Sequence, residues 1–238
     1  MKEKRRAPGS VKVPLLADIA LAAIITALFF ALGVAGAVSR KAEALSVGLF
    51  RGGGAVYRGR DGACAALVIT ADWDAAALGS ILDTLDAHDA KATFAIGRLL
   101  AEENAPTVAR IAERGHELAV IGGGESYGDY VSELRETLRL IELAAGVRPR
   151  LLFAAENGVS ENRAARELGL TCVVGSVDRM TLRGTAGDII ARAEGNTGAR
   201  DIVVSAPTEA FSRALSYILD HFAAMGLTVT AVSGTIYD

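Results

Sequence analysis

The stretch RGHELAVIGGGES, from Arg114 to Ser126, contains the alternation that decides the fold. A charged helical segment ends at Gly115, the short apolar run HELAVI follows, and the next helical segment begins after three glycines. Glycine commonly ends helices in the left-handed conformation, and a short apolar run bounded by turn residues is typical of a buried strand. The stretch therefore predicts a strand between two helices, with a glycine-rich loop at the strand's carboxyl end.

The same unit repeats along the chain in both directions. Six amphipathic helical segments separate seven apolar runs: AALVIT (65–70), KATFAI (91–96), HELAVI (116–121), RLLF (150–153), TCVVGS (171–176), DIVVS (201–205) and LTVTAVS (227–233). Such alternation predicts an α/β fold whose parallel sheet is covered by helices. An open doubly wound sheet and a closed barrel both satisfy the pattern. In either fold, functional residues are expected at the carboxyl ends of the strands.

The amino-terminal part of the chain differs from the rest in charge. Residues 1–41 hold seven lysines or arginines and two acidic residues, so the remainder carries −8 of a total net charge of −3. Residues 19–39 have no charge, and a helix of that length spans roughly 30 Å, the thickness of the hydrocarbon core of a bilayer. More cations precede this stretch than follow it, which predicts a cytoplasmic amino terminus. A cleaved signal peptide is the alternative, although its apolar region is usually shorter.

These features predict four parts: a cytoplasmic basic tail (1–18), a transmembrane anchor (19–39), a juxtamembrane linker (40–62) and a barrel domain (63–238). The protein is thus expected to be a single-pass protein of the cell membrane with its main domain outside the cytoplasm. An acidic main domain argues against nucleic acid as a partner. Cys64 and Cys172 are expected to be small buried residues, with a disulfide as the alternative.

Several segments resemble the polysaccharide deacetylase (NodB-homology) family. They are ILDTLDAHDAKATFAIG (81–97), RIAERGHELAVIG (110–122), FAAENG (153–158), ARELGL (165–170), SVD (176–178) and DIVVSAPTE (201–209), in the family's order. The likeness covers about residues 57–238 and is nearest to membrane-anchored members associated with spore-forming bacteria, which also carry a tryptophan in the first motif. It implies a distorted seven-stranded (β/α) barrel. It also implies a role in carbohydrate metabolism of the cell envelope, on N-acetylated glycan such as peptidoglycan, and a connection with sporulation.

The family's first two motifs have lost their metal ligands in this sequence. The first motif, T-F-D-D in active members, is Thr70 to Trp73 here, so Asp72 stands at the position of the general base and Trp73 replaces a ligand. The second motif, H-x-x-x-H, falls on Ile121 and Glu125. The resemblance therefore implies a divalent metal such as zinc for the family, but these ligand positions predict no metal cofactor here.

The later motifs are altered as well. The arginine of the third motif falls on Ala154, and the Asp-Trp pair of the fourth falls on Thr181 and Leu182, although Asp178 is retained. The catalytic histidine of the last motif falls on Ala206.

The histidine count leaves no replacement for the lost ligands. The chain has three histidines, His88, His116 and His221, and each is expected at the surface or at a helix end. His116 also lies at the amino-terminal side of its strand, away from the predicted site. A zinc site with two imidazoles cannot be assembled from them.

Acidic residues and one tryptophan remain as candidate site residues. We interpret Asp72 as a remnant catalytic base and Trp73, Glu125, Glu156 and Asp178 as substrate-binding residues. Each also has a structural interpretation: Trp73 as a cap on the barrel mouth, Glu125 as a solvated loop charge, Glu156 as a turn residue and Asp178 as a residue that holds its own loop. Asp74, just before a helical segment, is placed as an N-cap.

Three functions fit this pattern. The first is a catalytically degenerate deacetylase homologue that binds envelope glycan or an envelope protein. The second is an active hydrolase that deacetylates N-acetylated glycan through a carboxylate site centred on Asp72, which would suit a hard ion. The third is a non-catalytic protein-interaction scaffold that uses the outer helices.

Overall fold

Strands and helices alternate through the described part of the chain, residues 54–73, 75–177 and 182–237 of a computed structural model. The strands are β1 (Cys64–Ala71), β2 (Thr93–Ile96), β3 (Glu117–Ile121), β4 (Leu151–Phe153), β5 (Thr171–Val173), β6 (Ile202–Ser205) and β7 (Thr228–Thr230). The helices are α1 (Leu78–Ala87), α2 (Arg98–Glu103), α3 (Ala105–Glu113), α4 (Tyr127–Ala145), α5 (Val159–Leu168), α6 (Ala186–Asn196), α7 (Glu209–Ala224) and α8 (Ser233–Ile236).

The seven strands form one parallel sheet that curls into a half-barrel. Its order is β5-β4-β3-β2-β1-β6, and β7 pairs with the first half of β1 while β2 pairs with the second half. Between β5 and β6 the sheet has a seam, which the described residues cross through isolated bridges such as Val177 to Val203 and through hydrogen bonds of Ser176 with Asp201 and Ile202. The predicted parallel α/β sheet of seven strands is therefore confirmed, in the form of a curled half-barrel.

Gly175 makes the seam possible. Its φ is 94°, and a Cβ at this position would lie 2.6 Å from Cγ2 of Val204. A residue with a side chain would be strained in this left-handed conformation and would also collide with β6. Glycine therefore allows the chain to leave β5 and approach β6.

Two apolar cores lie on the two faces of the sheet. Alternate residues of a strand point to opposite faces, so Ala66 and Val68 of β1 join the interior cluster, whereas Leu67 and Ile69 join the outer cluster beneath the helices. The interior cluster also receives Val232 and Ile236 from the last turn of the chain. Burial on both faces explains why the strands appear in the sequence as continuous apolar runs.

The segment that precedes β1 is part of the folded body. The amide of Val56 donates to the Cys172 carbonyl (2.8 Å), and Arg58 forms an ion pair with Asp201 at 3.0 Å. The sequence assigns residues 40–62 to a linker, but residues 54–62 are bonded to the domain because their backbone fills the seam beside β5. The predicted tail (1–18) and anchor (19–39) lie outside the described residues. Within the described part, no helix has both the length and the apolar character needed to cross a bilayer.

The chain end differs from the strand LTVTAVS that the sequence predicts. β7 ends at Thr230, and α8 closes the bottom of the half-barrel. The carboxylate of Glu117 accepts hydrogen bonds from the Thr93 hydroxyl (2.6 Å) and from the Ser233 amide (3.1 Å), while the Thr93 hydroxyl oxygen accepts one from the Val232 amide (2.8 Å). These bonds satisfy amides at the start of α8 and so favour a helical turn over further strand.

His116 is buried, so its predicted surface or helix-end position is wrong. Its side chain is fully enclosed, and its ring lies 5.3 Å from the ring of Phe94, centroid to centroid. The Ala92 amide donates to Nδ1 at 3.4 Å, and Nε2 has no hydrogen-bond partner among the described residues. The two cysteines form no disulfide; Cys172 is buried as expected, whereas Cys64 is only half-buried.

Candidate functional site at the mouth of the half-barrel

A cavity of about 730 Å³ opens at the carboxyl ends of β1, β3, β4, β5 and β6. Asp72 and Trp73 reach it after β1, Ile121 ends β3 beside it, and Glu156 and Ala206 follow β4 and β6. Parallel strands place their carboxyl ends at one edge of a sheet, so residues far apart in sequence meet there. The structure thus brings three sequence-predicted site residues, Asp72, Trp73 and Glu156, to one cavity.

The loop after β2 sets the position of Asp72. The Gly97 amide donates to the Ala71 carbonyl (2.9 Å), and the Leu100 amide donates to the Asp72 carbonyl (3.0 Å). A Cβ on Gly97 would lie 2.9 Å from Cα of Asp72 and would overlap its carboxylate. The next residue, Trp73, is 70% exposed and presents its indole to solvent at the rim of the cavity.

The three glycines after β3 allow the loop to pack closely against α4, because they have no side chains. A Cβ on Gly122 would come within 2.8 Å of side-chain atoms of Tyr130 and Leu134, and a Cβ on Gly124, whose φ is 149°, would lie 2.7 Å from the Tyr130 amide nitrogen. The Gly123 amide donates to Oε1 of Glu133 at 3.1 Å. Glu125, which follows, is exposed and does not line the cavity.

The residues at the family's metal-binding positions do not fit a divalent metal ion. Ile121 packs against the apolar interior cluster, and Trp73 offers no metal-binding atom. Among the described residues, no three histidine, cysteine, aspartate or glutamate side chains converge closely enough to hold a metal ion. Ala154 is buried and Ala206 half-buried, so neither supplies the polar group that the family places there. Asp74, Asp178 and Thr181 lie outside the described residues.

The cavity also contains polar residues that the sequence does not single out: Tyr130, Glu161 and Thr208. Glu161 lies in the first turn of α5 and not at a strand end, and Tyr130 shares a helix face with Leu134, so both fit an ordinary amphipathic pattern. The acidic first turn of α5, directly after the β4 loop, is the signal that points to Glu161. Thr208 caps α7 by accepting a hydrogen bond from the Phe211 amide at 3.1 Å.

Burial raises the pKa of the Tyr130 hydroxyl, and the negative charge of Glu161 raises it further. The same two causes, burial first, raise the pKa of the Cys172 thiol to about 11. Neither group therefore ionises near neutral pH, and neither supplies a nucleophile or a base at the cavity.

Comparison with known proteins identifies the domain. Residues 61–173 match the family model described as polysaccharide deacetylase. Residues 61–173 therefore belong to a domain of the polysaccharide deacetylase family. A search of curated proteins finds no match to it.

Solved structures with the polysaccharide deacetylase fold superpose on most of the chain. A CE4 family pseudoenzyme from Bacillus anthracis is 22% identical, with a TM-score of 0.72 over 77% of this chain and 69% of that one. A peptidoglycan deacetylase from Bacillus subtilis is 18% identical (TM-score 0.66; 74% and 90% covered), and a family 4 carbohydrate esterase from Streptomyces lividans is 19% identical (TM-score 0.64; 73% and 93% covered). A mutant of the B. anthracis pseudoenzyme has restored enzymatic activity.

Proposed function

We propose that this protein is a catalytically degenerate polysaccharide deacetylase homologue that binds glycan of the cell envelope at the mouth of its half-barrel. One observation carries the proposal. An open cavity with an exposed Trp73 and Asp72 is present, although the apolar side chain of Ile121 stands at a metal-binding position of the family. A cavity of about 730 Å³ is within the usual size range of small-molecule sites.

Loss of hydrolysis follows from the chemistry that the missing metal supplies. In metal-dependent hydrolases, the ion lowers the pKa of its bound water and polarises the scissile carbonyl. At this mouth Asp72 can accept a proton, but no described side chain in the cavity replaces the Lewis acid. The structural similarity to a pseudoenzyme from Bacillus anthracis supports the same conclusion.

Binding of a sugar is supported by Trp73. An indole with one face free in solvent can stack on the apolar face of a pyranose ring, and Asp72 beside it can accept hydrogen bonds from sugar hydroxyls. The solved neighbours include a peptidoglycan deacetylase, so envelope glycan is the polymer that we propose. Asp178 belongs to the same proposal as a further binding residue.

The other two functions have less support. A carboxylate-based hydrolase would need Asp72, Glu125 and Glu156 to meet, but Glu125 does not line the cavity. A scaffold that works through its outer helices predicts that substitutions at Trp73 leave function intact, which the experiment below decides. We also propose that residues 19–39 anchor the protein in the cell membrane with the half-barrel outside; resistance to extraction by alkaline carbonate tests this part.

The test uses the full chain, purified in detergent, and oligosaccharides cut from peptidoglycan with a mixture of acetylated and free amino groups. We expect measurable binding by calorimetry and no acetate release. Trp73→Ala should weaken binding about tenfold or more, because a buried aromatic anchor commonly contributes about 2 kcal/mol. Tyr217→Ala is the matched control, since Tyr217 is equally exposed on α7 but does not line the cavity. Acetate release with ordinary turnover, or no binding at all, would refute the proposal.

A further inference from the structure

Every charged residue described in the lining of the cavity is acidic. Asp72, Glu156 and Glu161 contribute carboxylates from three different parts of the chain, and no described lining residue is a lysine, arginine or histidine. Like charges in one partly enclosed space raise the local concentration of cations and repel anions. The cavity therefore favours a positively charged ligand.

The three carboxylates also have no hydrogen-bond or ion-pair partners among the described residues. None of them takes part in a hydrogen bond or ion pair in the part of the chain that the structure describes, whereas Glu167 accepts hydrogen bonds from Tyr127 (2.9 Å) and Arg135 (2.7 Å). No described residue neutralises the cavity carboxylates. A ligand that brings its own cation would satisfy them.

Tyr130 is an independent sign of a ligand. It is 91% buried, it lies in the wall of the cavity, and its hydroxyl has no hydrogen-bond partner among the described residues. Glu161 lines the same cavity as Tyr130. A hydroxyl on an otherwise buried ring that opens on the cavity without a described protein partner is free to form a hydrogen bond with a polar ligand there.

We infer that the mouth selects glycan units whose amino group is free, that is, de-N-acetylated amino sugars, over their N-acetylated counterparts. Ammonium groups of the bound sugar units pair with the carboxylates of Asp72, Glu156 and Glu161, and the Trp73 indole contacts a sugar ring and its cation. An N-acetyl group has no charge and would leave the carboxylates desolvated without a counter-ion. This inference rests on the proposed function, because it names the class of glycan that the same site binds.

A bound metal ion is a weaker explanation of the acidic lining. The carboxylates of the described residues do not converge as a group of three on one ion. Separated carboxylates suit a ligand that spans the cavity and carries its charge on one of several sugar units.

The experiment compares two oligosaccharides of equal length, one of glucosamine and one of N-acetylglucosamine, binding to the full chain in low salt at a pH where the amine is protonated. We expect the free-amine oligomer to bind about tenfold more tightly, since two or three partly exposed ion pairs contribute about 1–2 kcal/mol together. The preference should shrink as salt is added, because salt screens exposed charges.

Two variants locate the preference. Glu156→Gln and Asp72→Asn each remove one charge with little change in volume, and each should reduce the preference several-fold while thermal unfolding stays unchanged. Glu209→Gln is the control: it removes a carboxylate from the first turn of α7, next to Thr208, but Glu209 does not line the cavity. It should leave the preference as it is.

Tyr130→Phe should weaken the binding of both oligosaccharides about three- to tenfold, which corresponds to one hydrogen bond.

The outcomes separate the inference from the proposed function. Equal or tighter binding of the N-acetylated oligomer would overturn the inference and leave glycan binding intact. A preference that survives high salt and both variants would overturn it as well, and so would equally tight binding of a lysine oligomer, which would show that the cavity recognises basic peptide. Failure of both oligosaccharides to bind would remove the proposed function together with the inference.

Discussion

The side chain of Asp72 occupies space that any residue larger than glycine at position 97 would need. Gly97 lies in the β2–α2 loop, and its amide also holds the last carbonyl of β1. Because Gly97 has no Cβ, the loop leaves room for the carboxylate of Asp72 and so sets its position. The contact is too local for hydrophobic periodicity to reveal, because it depends on two loop residues that are 25 positions apart.

At this residue scale, Gly97→Ala should destabilise the domain by about 1–3 kcal/mol, the usual cost of overpacking, and should weaken glycan binding by displacing Asp72. Gly79→Ala is the matched control, because a Cβ there would meet nothing within 4 Å. Gly79 lies within α1, so that substitution should be neutral or should stabilise the helix by up to about 1 kcal/mol. Urea unfolding measures both. Equal stability of the two variants would contradict the proposed contact.

His116 gives a second prediction at this scale. Burial, the largest cause, lowers the pKa of its imidazole to about 4, and the charges of Lys91 and Arg114 lower it further, while Asp86 opposes the shift. The unfolded state binds a proton near the ordinary histidine pKa, but the folded state does not. Stability from this residue is therefore complete above about pH 6.5 and is lost as the pH falls towards 4.

His116→Asn removes this titration and keeps an oxygen that can accept the Ala92 amide. We expect the loss of unfolding free energy between pH 7 and pH 4.5 to be about 2 kcal/mol smaller in the variant than in the wild type. His88→Asn, which changes a half-buried histidine at the end of α1, should leave the wild-type pH dependence in place. Identical pH profiles for wild type and His116→Asn would show that the buried imidazole does not resist protonation.

At the scale of elements, the carboxylate of Glu117 helps to hold α8 at the bottom of the half-barrel. Glu117 lies more than 100 residues before α8 in the sequence, yet it bonds to the first residue of that helix and to Thr93 of β2. The side chain of Glu117 thus joins β3 to the start of β2 and to α8. This is why α8 could not be predicted from the local sequence LTVTAVS.

Glu117→Gln should lower the free energy of unfolding by about 1–3 kcal/mol, because two hydrogen bonds to a charged acceptor are weakened. Hydrogen exchange should then show faster exchange of the amides at the start of α8. Glu136→Gln is the control, since Glu136 pairs with Arg139 on the exposed face of α4, where such pairs contribute little. A loss as large in the control would refute the role of Glu117.

The loop from β3 to α4 yields a prediction about metal binding. Gly122 and Gly124 hold this loop against α4, and position 125 does not line the cavity, whereas positions 73 and 121 do. We expect the double variant Trp73→Asp, Ile121→His and the triple variant that adds Glu125→His to bind zinc with affinities within about tenfold. A true extra ligand contributes several kcal/mol, which is more than a hundredfold. Zinc titration with a competing chelator measures the difference, and a gain above a hundredfold would contradict this loop geometry.

At the scale of the whole molecule, the sequence predicts the features that depend on buried strands and on the alternation of strands with helices. Parallel strands buried on both faces must be apolar throughout, so their number and order could be counted, and their carboxyl ends located Asp72, Trp73 and Glu156. Glu161 and Tyr130 were missed because each sits on a helix whose pattern is ordinary. Residues 54–62 were missed because backbone groups, which have no signature in sequence, attach them to the seam.

The double pairing of β1 has a consequence for motion. This strand is bonded to β6 along one side, and to β7 and then β2 along the other, whereas β4 has three residues. Amides bonded in the centre of a sheet open only with the global unfolding reaction, while short strands and loops open locally. We therefore expect slower hydrogen exchange in the backbone that leads to Asp72 than in the exposed turn after β4 that carries Glu156. The side of the mouth that carries Asp72 is accordingly expected to keep its shape when sugars of different size bind, and any adjustment to be made by the turn that carries Glu156.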